Sequence, residues 1–300
     1  MITISDVSPS PSALQGPEPW AFRLHDLGPP DESPRAVLLG GSRETDAGGL
    51  FVLSRLADLL VAAAQGRHEK YRLRRRIVLV PRTLGAGVGE DRKLEARGLA
   101  EATRSVFFRV ELLGPEPQTW EVPQVRLFGA SHEEREGGFL MGLPAIVDAA
   151  PDTLPADTVC RGWGGAVGES YLLRGGEPGR LHLGNCQSLY QGLLRFLVHR
   201  EILEGEPPDG DEDPQLFAGG EVFVLEAQAA GLFATHLRPG RWVLAGESLG
   251  YLHDPFDGRL VEELKAPVSG LVSSLCLRPL VEPGVALLSI LVSGRDAPEP

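Results

Sequence analysis

Ala36-Val37-Leu38-Leu39-Gly40-Gly41-Ser42-Arg43-Glu44-Thr45-Asp46 decides the architecture. A short continuous apolar run suits a strand buried on both faces, as in a parallel sheet. It breaks into a polar turn, and a helix is expected from about Ala47 to Gln65. There Leu50, Leu53, Leu56, Leu59 and Leu60 recur with helical period. Working outward, Ile77-Val78-Leu79-Val80-Pro81 is the next buried strand, Asp91 to Ser105 the next helix, and Val106 to Leu113 a third strand. Strand, helix and strand in alternation predict an α/β layer with a mainly parallel sheet flanked by helices.

Further along, Gly138 to Val147 reads as a helix leading into a short strand. Arg180-Leu181-His182-Leu183-Gly184 reads as a strand and Leu189 to Glu204 as a helix. The segment from Glu204 to Pro214 carries six acids and three prolines, the composition of a linker. Beyond it the pattern changes to period-two strands at 221–226, 242–244, 248–252, 271–272 and 286–290, with Asp257-Gly258 as a hairpin turn. An approximate duplication runs through this region. Ala230-Gly231-Leu232 leading to Pro239-Gly240 is echoed by Ser269-Gly270-Leu271 leading to Pro283-Gly284. That layout predicts a C-terminal all-β barrel or sandwich resembling biotin- and lipoate-carrying domains, without the modified lysine hairpin, so no carrier role follows. The expected partition is a Pro/Ser-rich lead-in or edge strand over 1–35, an α/β domain over 36–204, an acidic linker over 205–214 and the β domain over 215–300.

Composition narrows the function. With 41 acids against 29 bases the net charge is −12, which argues against coating nucleic acid. No run reads as about 18 consecutive apolar residues, so no membrane partner is expected. The N-terminus has neither the basic nor the apolar region of a secretory signal. Cys160, Cys186 and Cys276 are odd in number and widely spaced, and read as reduced thiols in a cytoplasmic protein. Arginine in place of lysine, with 37 Gly and 25 Pro, suggests a GC-rich bacterial genome.

Several residues are candidates for chemistry. His182 and Cys186, four apart, are both potential soft-metal ligands that need a third from elsewhere; the bland alternative is a hydrogen-bonded His and a buried Cys. Ser42, Arg43, Glu44, Thr45 and Asp46 lie at the carboxyl end of the first strand, where open α/β sheets bind ligands. Arg43 there is a potential carboxylate clamp, and the alternative is a loop whose Thr45 or Asp46 caps the helix. Ser131-His132-Glu133-Glu134 reads as a capped helix start rather than a His–carboxylate site. Arg72-Leu73-Arg74-Arg75-Arg76 reads as a solvated strand entrance, and His236 and His253 as loop residues. The Cys160 loop carries no nucleophile signature.

The C-terminal residues Ala230-Gly231-Leu232-Phe233, Leu237-Arg238-Pro239-Gly240, Val243-Leu244-Ala245-Gly246-Glu247-Ser248-Leu249-Gly250 and Ala266-Pro267-Val268-Ser269-Gly270, behind an α/β layer, resemble the succinylglutamate desuccinylase/aspartoacylase family. The resemblance covers about residues 36–292. It implies a zinc-carboxypeptidase-like fold and a zinc-dependent amidohydrolase acting on N-acyl amino acids, with two ligands from a Gly-x-His-Gly-x-Glu motif, a third from Asp-Leu-His, and a glutamate base.

Carried across, Ser42 and Thr45 stand in the first His and Glu places, Leu113 of Glu111-Leu112-Leu113 in the third, and His182 in the base place. No His lies between His68 and His132, and the Asn-Arg segment that grips substrate is missing. The chain is therefore expected to lack the family's zinc, and a residual ligand cleft is expected at Ser42, Arg43, Thr45, Glu111 and His182. Two functions follow. One is a pseudoenzyme that binds or scaffolds a protein partner, peptide or small acyl-amino acid, with self-association left open. The other is an amide hydrolase whose metal or nucleophile has moved, using His182, Cys186, His132 or Glu111.

Overall fold

The structure is a computed structural model and describes residues 2–7, 22–41, 46–82, 90–129, 131–150, 152, 154–209, 214–217 and 222–292. The first half runs β1 (Ile2–Val7), β2 (Phe22–Leu27), β3 (Ala36–Gly40), α1 (Ala47–Ala64), β4 (Arg72–Leu73), β5 (Ile77–Val80), α2 (Glu90–Thr103) and β6 (Phe108–Leu113). Next come β7 (Thr119–Leu127), α3 (His132–Met141), β8 (Ala145–Asp148), a 3-10 turn at Cys160–Trp163, β9 (Glu169–Gly176) and α4 (Leu183–His199). The remainder is all strand: β10 (Leu203–Glu204), β11 (Gln215–Phe217), β12 (Val222–Glu226), β13 (Gly231–Ala234), β14 (Trp242–Val243), β15 (Ser248–His253), β16 (Leu260–Lys265), β17 (Gly270–Cys276), β18 (Leu280–Val281) and β19 (Ala286–Leu291).

One sheet carries the order β1-β2-β5-β3-β6-β9-β7-β17-β19-β12. Its centre, β5-β3-β6-β9, is parallel, as the continuous apolar runs require, and every residue of β3 is buried. Helices cover both faces. On one, Leu53, Leu56 and Leu60 of α1 and Leu193 and Phe196 of α4 pack on Leu38, Val110 and Leu173. Each fully buried leucine is worth roughly 1.5–3 kcal/mol relative to exposure. On the other, Ala96 and Ala100 of α2 and Trp163 of the 3-10 turn pack on Leu39, Leu113 and Leu172.

The C-terminal strands form the expected antiparallel unit, with a second sheet β16-β15-β13-β18 and a core that includes Val243, Leu252, Val272 and Ile290. The two halves are joined by hydrogen bonding, because β17 pairs with β7 (Ser274 opposite Glu121) and carries the large sheet into the β unit.

Of the two alternatives for the lead-in the edge strand is the one that forms, with β1 at the sheet edge and β2 antiparallel to β5. Two expectations are corrected. Residues 180–184 are not a strand: α4 begins at Leu183, and the strand beside β6 is β9. α1 is itself long and apolar enough to cross a membrane, with mean hydropathy 1.6. Its buried residues are the ones that pack in the core.

Candidate functional site

In a parallel sheet the carboxyl ends of the strands face loops and helix N-termini, and ligands collect there. β3, β6 and β9 end at Gly40, Leu113 and Gly176, with Leu113 beside Arg174 in the register. Ser42, Arg43 and Thr45 lie outside the described residues. Asp46, at the N-cap position of α1, is buried, but its side chain does not cap the helix. Its Oδ1 instead accepts the Gly114 N–H at 2.7 Å, tying α1 to the end of β6. The carboxylate lies so close to the main chain at Gly41 that a Cβ there would stand 2.0 Å from Oδ2.

Glu111 points to the α2 face and is fully buried. Its two carboxylate oxygens accept the N–H groups of Val159 (3.0 Å) and Cys160 (2.7 Å), so it anchors the loop that enters the 3-10 turn. Burial holds this carboxyl above the ordinary range, and the two N–H groups offset only part of the effect. Burial also pushes the Cys160 thiol well up, with Glu111 adding to it, so Cys160 is a core thiol and not a nucleophile.

His182 is the N-cap of α4, and its Nδ1 accepts the Asn185 N–H at 3.3 Å. It lines a small cavity with Gly48, Gly176, Glu177 and Cys186 that has room for about one water, 10 Å³. Glu111 does not line this cavity, so the structure does not gather Glu111 and His182 into one cleft. His182 and Cys186 do meet there. Zinc does not fit them. The pair supplies two of the four ligands a closed zinc site needs, and His182 already uses Nδ1 as a cap. Among the described residues no three His, Cys, Asp or Glu side chains form a metal-sized group. His132 begins α3 as expected: Ser131 Oγ accepts the Glu134 N–H at 3.1 Å. The Glu134 carboxylate in turn accepts from the N–H groups of Gly129 and Ser170.

Residue patterns missed the polar row on β9 and β7. Arg174 donates to Glu121 through Nε (3.1 Å) and Nη2 (2.9 Å), and Nη2 also reaches Glu116 at 3.3 Å. The Arg174 and Glu121 side chains are 4% and 6% exposed. On β7, Arg126 shares this face. Its Nε donates to Gln124 Oε1 at 3.3 Å; burial, then the neighbouring Arg174, weighs against its charge. The one carboxylate on β9, Glu169, sits at the opposite end of the strand, bonded to Tyr171 and to Arg200.

No protein-family model matches the sequence, and no curated protein matches it significantly. Solved structures do match. The chain superposes on the ectoine utilization protein EutE (DoeB) from Ruegeria pomeroyi with a TM-score of 0.71 at 17% identity, covering 91% of this chain and 90% of that one. A succinylglutamate desuccinylase/aspartoacylase from Rhodobacter sphaeroides gives 0.70 at 18%, with the same coverage. A putative succinylglutamate desuccinylase/aspartoacylase from Shewanella frigidimarina gives 0.66 at 10%, covering 97% of each. The fold is therefore that of the succinylglutamate desuccinylase/aspartoacylase proteins, over both the α/β layer and the C-terminal β unit.

Proposed function

We propose that this chain is a non-hydrolytic relative of the desuccinylases and aspartoacylases, which keeps their fold as a cytoplasmic bacterial binding or scaffolding unit for a protein, a peptide or a small acyl-amino acid. The observation that carries this reading is the state of the carboxyl edge of the central strands. Leu113, which the sequence resemblance sets in the third-histidine place, packs in an apolar cluster. Beside it Arg174 is locked to Glu121, and the nearby Asp46 carboxylate holds the Gly114 N–H. A leucine side chain cannot ligate Zn²⁺, and an arginine already paired to a carboxylate adds no ligand there.

The test is amine release from a panel of N-acetyl and N-succinyl amino acids, with and without added Zn²⁺. The expected result is no turnover above the uncatalysed rate under either condition. Zinc-dependent release that disappears in His182→Ala would support a relocated hydrolase instead.

A further inference from the structure

Beyond β7 the α2 face of the large sheet loses its cover, and a cavity of about 580 Å³ opens between β7–β8 and β12–β17–β19. That volume lies within the range of small-molecule sites. The register lays Glu121, Ser274, Ser289 and Val224 in a row across its floor. Arg126 lines the polar end. Its Nε is held by Gln124, which orients the planar guanidinium. Among the described residues its two terminal nitrogens have neither a hydrogen-bond acceptor nor an ion pair. Glu121 and Glu116, which also line the cavity, both bond to Arg174. Arg126 is thus a largely desolvated cation whose fork of donors faces open space, and a carboxylate matches that fork in shape and charge.

The opposite rim is apolar. Val222 and Val224 of the edge strand β12 line the cavity and are 43% and 42% exposed. Glu116, Glu121 and Asp148 also face the space, so a dianion such as phosphate meets about twice the repulsion of a monoanion, whose short apolar tail also gains the apolar rim.

We propose that this cavity binds a small aliphatic monocarboxylic acid, its carboxylate on Arg126 and its chain against Val222 and Val224. The site is separate from the His182 cavity and does not depend on whether the chain hydrolyses anything.

The test is calorimetric titration of the full chain with hexanoate, with hexanamide as the uncharged probe of the same shape. One hexanoate should bind per chain, with hexanamide weaker by about tenfold or more, the scale of a charge-assisted contact. Arg126→Gln should bring hexanoate down to the affinity of hexanamide, and inorganic phosphate should not compete. Should Arg126→Gln fail to fold, Val224→Trp, at an exposed edge position, should weaken hexanoate by filling the apolar end. No hexanoate binding, equal affinity for acid and amide, competition by phosphate, or binding unchanged in both variants overturns the proposal.

Discussion

Arg174 and Glu121 form a two-point ion pair, at 2.9 and 3.1 Å, between β9 and β7 near the carboxyl end of β9. Breaking a buried pair leaves one charge stranded, whereas replacing both partners with apolar groups removes the desolvation cost along with the attraction. Glu121→Ala and Arg174→Met should each lower stability in urea by about 3–5 kcal/mol. The double substitution Glu121→Leu/Arg174→Met should cost less than the sum of the single changes. Additive losses would show that the two side chains are not energetically coupled.

Glu111 sets part of the pH dependence. Its folded-state carboxyl is raised by burial, so the unfolded chain ionises it first. Stability from this group is present below the unfolded carboxylate range, about pH 4.3, and is lost as pH rises toward the raised folded value. Glu111→Gln, which cannot ionise, should flatten the fall in stability as pH rises above the unfolded carboxylate range, about pH 4.3, relative to the parent. Parallel pH profiles for the two proteins would contradict the placement of Glu111.

The three thiols should separate by burial. Cys160 and Cys186 are buried and Cys276 is partly exposed. Under native conditions an aromatic disulfide reagent should modify Cys276 first, with Cys160 and Cys186 reacting only on unfolding. Rapid native labelling of Cys186, read by peptide mass, would place it in an open site.

Close backbone approach predicts opposite signs at two glycines. A Cβ on Gly40 would fall 1.8 Å from the Pro81 carbonyl oxygen, which cannot move without disturbing β5, so Gly40→Ala should cost about 1–3 kcal/mol or more. Gly98, in α2, has nothing within 4 Å of the same position, and Gly98→Ala should stabilise by about 0.5–1 kcal/mol through helix propensity. Equal thermal shifts for the two would contradict the packing of β3 against the end of β5.

What was legible in the sequence divides along physical lines. β3, β5, β6 and α1 announce themselves because their burial is met by apolar side chains at strand or helix period. β9 does not: all eight of its residues are buried, yet they include Glu169, Arg174 and two glycines. Its charges are matched by Arg200 and Glu121, 31 and 53 residues away, and no local pattern carries such pairings. Local pattern instead favours a strand at 180–184, where the structure has the start of α4 with His182 at its N-cap. β7 was hidden by Pro123, which the structure accommodates at an irregularity in the register between Glu121 and Gln124. The C-terminal unit was legible because its Pro-Gly turns repeat in order. Nothing local marked Arg126, since its isolation appears only when β12, β17 and β19 fold over it.

The most direct test of the central claim is the metal content of untagged protein, purified without chelator and offered excess zinc, beside His182→Ala. The account predicts far less than one zinc per folded chain, with no difference between the two proteins. Near-stoichiometric zinc in the parent that falls in His182→Ala would contradict it and place a working metal centre at the start of α4.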